Sequence, residues 1–321
     1  MAEAAAKTEE AASPEGGAAS GTPAIKTVEL TKKFGRTVAL AGLSMTVPRG
    51  EVFGFLGPNG AGKTTAVKLL LGLLRPSSGE GWLLGRPIGD LTTRRRIGYL
   101  PELFRYQGWL TAAEVLALHC ELAPLPRSSW KDEVKTALDT VGLTDRANDR
   151  VSTFSKGMQQ RLGLGAALVG EPELVFLDEP TSALDPVGRH DVREIIRGLS
   201  ARGTAVFLNS HLLSEVEQIC DRVAVVDHGR VISSGTMDEL LSGTAVRVRV
   251  LGLSLADKNR LSGFGPVDDE GEQLTFTRLD AERVPELVAQ IVAMGGRVYE
   301  VAPRHQTLED RFLQLLHEEE K

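Results

Sequence analysis

A glycine-rich loop carries the most specific chemistry of this sequence. An apolar segment, residues 52–56, leads into the loop, and a segment with leucines at helical spacing, residues 67–74, leads out of it. Glycine lacks a Cβ, so such a loop can curl until successive backbone N–H groups form a nest for phosphate oxygens. The loop consists of Gly57, Pro58, Asn59, Gly60, Ala61, Gly62, Lys63, Thr64 and Thr65. Its strand–loop–helix setting is typical of a phosphate-binding P-loop rather than of a glycine turn before an ordinary helix.

Two side chains at the end of this loop have predicted roles. We expect Lys63 to reach the β- and γ-phosphates of a nucleotide, and the Thr64 hydroxyl to ligate Mg²⁺. The helix that begins near Lys63 adds the positive end of its dipole to the same place. The loop therefore predicts a nucleoside triphosphate with Mg²⁺ as its ligand.

A second chemical feature is a pair of carboxylates at the end of an apolar run. Residues 174–177 are Leu-Val-Phe-Leu, and Asp178 and Glu179 follow them directly. Parallel sheets deliver ligand-binding groups at the carboxyl ends of their strands. Asp178 could hold Mg²⁺ through its water shell, and Glu179 could orient and deprotonate an attacking water. For an isolated Asp-Glu pair, capping of the next helix is the better interpretation, but a P-loop in the same chain reverses that preference.

Composition limits the class of protein. The 321 residues are 42% hydrophobic and 25% charged with a net charge of −6, which is ordinary for a soluble protein and gives no reason to expect nucleic acid as a partner. Apolar runs such as residues 69–74 and 164–169 are far too short to cross a bilayer, and no secretory signal is evident. Cys120 and Cys220 lie in apolar helical patterns and are expected to be core residues rather than a disulfide pair. We expect a cytoplasmic protein.

Changes in the residue pattern along the chain predict the elements that position these groups. Residues 1–24 hold almost no large apolar side chain and are expected to form a disordered tail. Strand-like spacing begins at Ile25, with Lys32, Lys33 and Gly35 in a turn. Farther along, residues 111–168 are predominantly helical in pattern. Short apolar runs of buried-strand length then alternate with helical stretches, at 174–177, 205–208 and 223–226. The alternation predicts an α/β fold with a largely parallel sheet and crossover helices.

The end of the chain has a different pattern. Strand-like alternation occurs at residues 246–250 and 274–276, and an amphipathic helical pattern occupies 281–294. A last strand is predicted at 298–301 and a last helix at 307–317. We therefore expect a small α+β appendage over 244–321, without a catalytic constellation.

Three further motifs give the chain a family resemblance. Residues 154–161, Phe-Ser-Lys-Gly-Met-Gln-Gln-Arg, resemble the signature motif of ATP-binding cassette (ABC) ATPases. Residues 182–185 resemble the D-loop of that family, and residues 209–211 resemble its switch histidine. The likeness covers about residues 25–240, with every motif in family order. Thr307-Leu308-Glu309-Asp310 adds a resemblance to the accessory domain of type-two exporters.

The resemblance implies a fold and a partnership. The fold is a P-loop NTPase of ABC type over residues 25–243, in which an antiparallel β subdomain and a helical subdomain, about residues 102–168, flank the mostly parallel sheet. ATP would lie between the P-loop of one copy and the signature motif of another, in a homodimer or in a heterodimer with a related subunit. Ser155 and Gly157 begin an apolar-faced helix, so a helix N-terminus would face the γ-phosphate.

The resemblance also assigns roles to single residues. His211 would hydrogen-bond the γ-phosphate and sense its loss, and Asp185 would carry information across the dimer. Phe34 stands where the family places an aromatic ring that stacks on adenine, although a lone phenylalanine near a strand is usually a core residue.

Two positions depart from the family pattern. Glu102 follows residues 97–101 where a glutamine is usual, and a carboxylate can still ligate Mg²⁺ but adds negative charge beside the phosphates. Gln107 could substitute if the alignment slips. Lys156 replaces a commoner glycine in the signature motif and is expected to be harmless there.

These features predict an ATP-hydrolysing motor subunit of a membrane exporter. It would close as a dimer on ATP and open after hydrolysis, and it would sit at the inner face of the cell membrane on a separate integral permease that contacts about residues 102–168. One alternative is a soluble ABC ATPase acting on ribosomes or DNA, although the single P-loop and the lack of sustained heptads disfavour it. Another is a regulator that binds ATP without hydrolysing it, against which the intact Glu179 argues.

Overall fold

The fold is known from a computed structural model. The residues that the structure describes are 21–241, 244–276, 279, 281–305 and 307–319. Most of the predicted tail, residues 1–20, lies outside these ranges. Ala24, placed in the tail by the prediction, is fully buried, and its N–H donates to the Val47 carbonyl at 2.9 Å.

Strands and helices alternate through most of the described chain. The strands are β1 (Ile25–Phe34), β2 (Thr37–Val47), β3 (Val52–Leu56), β4 (Ser78–Leu83), β5 (Arg86–Pro87), β6 (Ile97–Leu100), β7 (Leu174–Asp178), β8 (Ala205–Asn209), β9 (Arg222–Asp227), β10 (Arg230–Thr236), β11 (Thr244–Leu251), β12 (Val267–Asp269), β13 (Gln273–Phe276) and β14 (Arg297–His305). The helices are α1 (Lys63–Leu70), α2 (Leu91–Arg94), α3 (Ala112–Leu122), α4 (Trp130–Thr140), α5 (Lys156–Leu168), α6 (Pro186–Ala201), α7 (Leu213–Ile219), α8 (Met237–Leu241), α9 (Leu255–Arg260), α10 (Val284–Ala293) and α11 (Leu308–Glu319).

A six-stranded sheet forms the centre of the molecule, in the order β10-β9-β3-β8-β7-β6. Its five strands from β9 to β6 are parallel, and β10 pairs antiparallel at one edge. Successive residues of β7 enter opposite cores: Val175 and Leu177 belong to one apolar cluster, Leu174 and Phe176 to another. Strands buried on both faces read as continuous apolar runs. The predicted α/β fold with a largely parallel sheet is confirmed.

An antiparallel sheet in the order β2-β1-β4-β5 packs beside this centre. The predicted turn over Lys32, Lys33 and Gly35 is wrong in its extent, because β1 continues through both lysines to Phe34. The turn consists of Gly35 and Arg36, and Gly35 takes a φ of +58°. A tight reversal needs this left-handed backbone at the glycine, whereas the lysines fit the strand.

The helical region between β6 and β7 holds α3, α4 and α5. Thr111 begins α3 with a capping box, in which its hydroxyl accepts from the Glu114 N–H and the Glu114 carboxylate accepts from the Thr111 N–H. Cys120 in this region and Cys220 after α7 are buried free thiols of the same apolar cluster. Both cysteines are core residues, as expected.

A second four-stranded sheet, β12-β13-β11-β14, lies toward the end of the chain and is antiparallel. Its apolar side chains form a core of their own with α10, including Val248, Phe276 and Ile291. The last helix, α11, has different neighbours. Leu308 and Leu315 are buried in the cluster of the six-stranded sheet, and the Leu308 N–H donates to the Glu217 carboxylate at 2.9 Å.

Candidate functional site

The glycine-rich loop connects the central strand β3 to α1. All five residues of β3 are buried, so the loop starts from a fixed point in the middle of the sheet. Gly60 and Gly62 have φ angles of +87° and +99°, which glycine adopts without strain. A Cβ on Gly60 would meet nothing within 4 Å. The loop therefore offers an open concave backbone at the N-terminal end of a helix.

Two other contacts make the glycines of this loop necessary. A Cβ on Gly57 would lie 2.2 Å from the Val226 carbonyl oxygen, and one on Gly62 would lie 2.4 Å from the Ala39 carbonyl oxygen. The Gly229 N–H donates to the Ala61 carbonyl at 3.0 Å and ties the loop to the turn after β9. Neighbouring backbone thus presses on the outside of the loop and holds its shape.

Lys63 folds back onto the loop. Its Nζ donates to the carbonyls of Gly57 at 2.7 Å and of Pro58 at 3.0 Å. Burial lowers the pKa of this ammonium, while the nearby carboxylates of Glu179, Asp178 and Glu102 act in the opposite direction. Its charge is therefore held between the loop and the acidic groups. Thr64 is exposed and Thr65 partly buried at the start of α1.

The acidic pair lies at the carboxyl end of β7, as predicted. Asp178 is 4% exposed and pairs in register with Asn209 of β8, whose Nδ2 donates to its Oδ1 at 2.5 Å. Burial raises the pKa of Asp178, as do Glu102 and Glu179, while the Asn209 hydrogen bond and Lys63 lower it. The net direction is upward. A buried carboxylate facing an ammonium is a common arrangement at functional sites.

Glu179 has an unusual backbone and an incomplete set of partners. Its φ is +53°, in the left-handed region that residues other than glycine rarely adopt. Its Oε1 accepts from the His211 N–H at 2.9 Å, and the His211 Nδ1 lies 2.8 Å from its Oε2. That second contact has the distance of an ion pair, yet the buried Oε2 has no hydrogen-bond partner among the described residues. The structure thus joins the predicted base and the predicted switch histidine, with Oε1 bonded to the histidine backbone and Oε2 in contact with its ring.

Glu102 lies in the loop after β6, on the same side as the other acidic groups. Its side chain is exposed, and its charge acts on Lys63, Asp178 and Tyr99. Gln107, the suggested substitute, is also exposed, five positions farther along the loop. The charge of Glu102 thus acts on the same lysine and aspartate that the acidic pair contains or faces.

Ser155, Gly157 and Asp185 form a separate face. Ser155 is the N-cap of α5, accepting from the Met158 N–H at 3.2 Å, and Asp185 is the N-cap of α6, accepting from the Gly188 N–H at 2.8 Å. These residues line one groove of about 470 Å³ together with Lys156 and Arg161. The groove contains no residue of the P-loop. The signature and D-loop segments thus share a surface that is distinct from the phosphate cradle of the same chain.

Phe34 is at the end of β1. Its ring is 48% exposed and has the Lys32 ammonium 5.0 Å from its centroid. A core role is therefore wrong for this phenylalanine. An exposed ring next to a cation can stack on a planar ligand.

Three polar contacts at Glu179 and Asp178 were not predicted as site contacts. The Asn209 amide binds Asp178, and the Glu179 carbonyl accepts from Gln160 Nε2 at 3.2 Å and from Ser182 Oγ at 3.1 Å. The signal for Asn209 was available, because a polar residue ends an apolar strand next to β7. Gln160 lies within the signature motif, but no local pattern marks its contact with Glu179, which is nineteen positions away in the chain.

Comparison with known proteins assigns this geometry. The family model described as ABC transporter matches residues 40–182. An ABC transporter ATP-binding protein of Nostoc sp. is 44% identical over 284 residues, which cover 87% of this chain and 83% of that protein. The daunorubicin/doxorubicin resistance ATP-binding protein DrrA of Streptomyces peucetius is 40% identical over 246 residues, covering 75% of this chain and 74% of that one.

Solved structures agree with the sequence relatives. One of them is a dimeric ATP-binding cassette bound to ADP and phosphate after hydrolysis. It superimposes with a TM-score of 0.61 and 25% identity, covering 66% of this chain and 98% of that chain. The described fold is therefore that of an ATP-binding cassette.

Proposed function

The chain belongs to the ABC transporter family, as an ATP-binding and ATP-hydrolysing subunit. We propose which of its residues bind and hydrolyse ATP, and which process the hydrolysis powers. The observation that carries the proposal is Glu179, a buried carboxylate at the end of β7 whose two oxygens contact the backbone N–H and the ring of His211. A general base must be held where it can accept a proton from water, and a carboxylate fixed by His211 at the carboxyl end of the sheet suits that role.

Hydrolysis at this site is a matter of position and charge. The backbone N–H groups of the P-loop and the Lys63 ammonium bind the β- and γ-phosphates, and Glu179 orients the attacking water and accepts its proton. His211, fixed against Glu179 through both its backbone and its ring, contacts the γ-phosphate and registers its loss. Phe34 stacks on the adenine ring.

The donor set fits Mg²⁺ as a companion of the nucleotide. Thr64, Asp178 and Glu102 supply oxygen atoms, the type of ligand that Mg²⁺ prefers. Among the residues described, no group of three or more His, Cys, Asp or Glu side chains could hold a metal ion by itself. Mg²⁺ is usually held by few protein oxygens together with substrate phosphates and water. When bound, it neutralises phosphate charge.

Two copies complete each ATP site in this proposal. The face with Ser155, Gly157 and Asp185 shares its groove with none of the P-loop residues, so the same chain does not present it to its own cradle. In a head-to-tail dimer, the N-terminus of α5 would meet the γ-phosphate held by the other copy. The comparison cassette is itself dimeric. The second copy is an identical chain or a related subunit.

We propose that the dimer drives export through an integral membrane permease. The relative DrrA is named for drug resistance, which accords with export. No described helix has the length and apolarity needed to span a bilayer. Exposed apolar side chains after β6 and on α3 offer a docking surface for the permease: Leu103, Trp109, Leu118 and Leu122. The chain would thus lie at the inner face of the membrane.

The domain limits remain part of the proposal. Residues 25–243 form the ATP-binding domain, residues 102–168 its helical subdomain, and residues 244–321 the accessory domain. The accessory sheet has its own core, while α11 returns to the core of the six-stranded sheet. The accessory domain is therefore anchored at both ends to the ATP-binding domain.

The dimer is the step to test first. The purified Glu179→Gln variant is mixed with ATP and Mg²⁺, and its molecular mass in solution is measured by light scattering. We expect the measured mass to double with ATP and to stay that of a monomer with ADP. Failure to gain mass, even with the membrane permease present, contradicts the proposed function. A Ser155→Arg change in the same background places a bulky side chain at the opposing helix and should abolish the doubling.

A further inference from the structure

The backbone of Glu179 is held from several directions. Its N–H donates to the Asn209 carbonyl at 2.8 Å, and its carbonyl accepts from Gln160 Nε2 at 3.2 Å and from Ser182 Oγ at 3.1 Å. A left-handed φ persists at such a residue only where the surroundings fix it. These hydrogen bonds hold the peptide, and the peptide sets where the carboxylate points.

Gln160 differs from the other donors in its origin. It lies on α5, the helix that begins at Ser155, and its side chain is 5% exposed. Asn209 and Ser182 come from segments next to β7 and its loop, whereas Gln160 reaches Glu179 from the helical region. Because a helix moves as a rigid unit, a shift at Ser155 is transmitted to Gln160 about one and a half turns away.

We infer that Gln160 is a positioning residue for hydrolysis: its amide fixes the left-handed peptide of Glu179 and thereby ties the helix headed by Ser155 to the general base. The inference rests on the proposed function, which places the partner's nucleotide at Ser155. In this inference, the coupling runs from Ser155 to Glu179. Engagement of the nucleotide of the other copy at Ser155 is transmitted, through α5 and Gln160, to the base that acts on the chain's own nucleotide.

A purely structural role makes a different prediction. Buried amides generally need a hydrogen-bond partner, so Gln160 could simply satisfy its own donor in the core. Its neighbour Gln159 provides the comparison, because its Nε2 donates to the Phe154 carbonyl at 3.2 Å, away from Glu179. The two glutamines are on one helix and have the same chemistry, yet they bind different carbonyls.

The experiment compares Gln160→Met with Gln159→Met. Methionine keeps the length of the side chain and removes the amide donor. ATP hydrolysis is followed in a single turnover with protein in excess, beside nucleotide affinity and melting temperature. We expect Gln160→Met to lower the hydrolysis rate roughly ten- to a hundredfold, the scale of a misplacement near 1 Å, with nucleotide affinity kept. The fall in Gln159→Met should be much smaller.

A double variant separates positioning from general damage. In the Glu179→Gln background the base is already lost, so Gln160→Met should cause no further loss of the residual rate. Equal effects of the two methionine variants, or an undiminished rate in Gln160→Met, overturn the inference. If Gln160→Met does not fold, Gln160→Glu keeps the shape and replaces the donor by a carboxylate, and the same criteria apply. A parent protein that neither dimerises with ATP nor hydrolyses it would instead contradict the proposed function.

Discussion

The six-stranded sheet and the accessory sheet bury apolar side chains in the same way but place their charges differently. At the end of the six-stranded sheet, Asp178 and Glu179 are 4% and 8% exposed. In the accessory part, the described carboxylates stay more exposed: the Asp269 side chain, 34% exposed, pairs at 2.7 Å with Lys258, whose side chain is 15% exposed. Arg249 lies over the exposed ring of Tyr299, 5.6 Å from its centroid.

This difference indicates where chemistry is done. Burying a carboxylate costs free energy unless a partner or a ligand compensates. The described carboxylates of the accessory part largely avoid that cost, because they stay partly or fully exposed. The six-stranded sheet accepts the cost at two adjacent positions, with Lys63 as the nearby cation. A buried, incompletely bonded carboxylate is thus a better indicator of function than a surface ion pair.

The largest expected effect tests this contrast at its centre. Glu179→Gln should lower the rate of ATP hydrolysis by about 10²–10⁴-fold, the contribution of a general base, while ATP binding is kept. Phosphate release measures the rate. The matched control is Glu173→Gln, which breaks surface ion pairs with Arg49 and Arg96. Similar losses in both variants would show that carboxylate burial does not mark the catalytic group.

The next effect compares glycines from the two regions. Gly62 and Gly271 both have left-handed φ angles, +99° and +83°. A Cβ on Gly62 collides with the Ala39 carbonyl at 2.4 Å, whereas one on Gly271 meets nothing within 4 Å. Backbone strain of this kind costs about 1–3 kcal/mol in either case.

A steric collision of the new Cβ adds to the backbone strain at Gly62 but not at Gly271. Gly62→Ala should therefore lower the free energy of unfolding in urea by more than Gly271→Ala, and it alone should abolish ATP binding. Equal losses of stability would mean that the P-loop backbone can shift away from Ala39, contrary to the packing described here.

The sequence alone indicated the residues of the candidate site, but it did not predict the backbone strain at Glu179. Residues 57–65 and the pair Asp178 and Glu179 follow from local motifs, because glycine content and a strand end are visible in consecutive letters. The left-handed φ of Glu179 is not visible, since glutamate has no local preference for it. The Glu179 peptide is held by hydrogen bonds with Gln160 and Asn209, which are distant in the chain.

The fold shows the same division. The strands of the six-stranded sheet were predicted as apolar runs, since burial on both faces leaves a continuous pattern. The packing of α11 could not be predicted, because its amphipathic pattern says which face is buried but not against what. Its neighbours are set by tertiary structure, with Leu308 and Leu315 in the core of the larger sheet.

The two regions should also respond oppositely to pH. In the folded protein, burial and nearby carboxylates raise the pKa of Asp178 above 3.8, so its contribution to stability is complete below that pH and is lost as pH rises through the raised pKa. The Lys258 hydrogen bond lowers the pKa of Asp269, so its contribution is present above 3.8 and is lost as pH falls through the lowered pKa.

Replacement of each aspartate by asparagine tests these opposite pH dependences of stability. At about pH 7.5 without nucleotide, Asp178→Asn should raise the melting temperature and Asp269→Asn should lower it, with both differences shrinking toward about pH 3. Thermal unfolding across this range provides the measurement. A lower melting temperature for Asp178→Asn at neutral pH would show that its neighbours already compensate the buried charge.

The smallest effect is expected at Glu102, the exposed member of the acidic group. Its charge acts on both Lys63 and Asp178, yet water surrounds it. Exposed charges contribute about 0.2–1 kcal/mol, so Glu102→Gln should tighten ATP binding by about 1.4- to 5-fold in low salt and by less in high salt. Titration with ATP at two salt concentrations measures this, and Glu80→Gln on the antiparallel sheet is the control. Weaker ATP binding in Glu102→Gln would show that the proposed contribution of Glu102 to holding Mg²⁺ outweighs its repulsion of the phosphates, since a neutral amide is the poorer ligand.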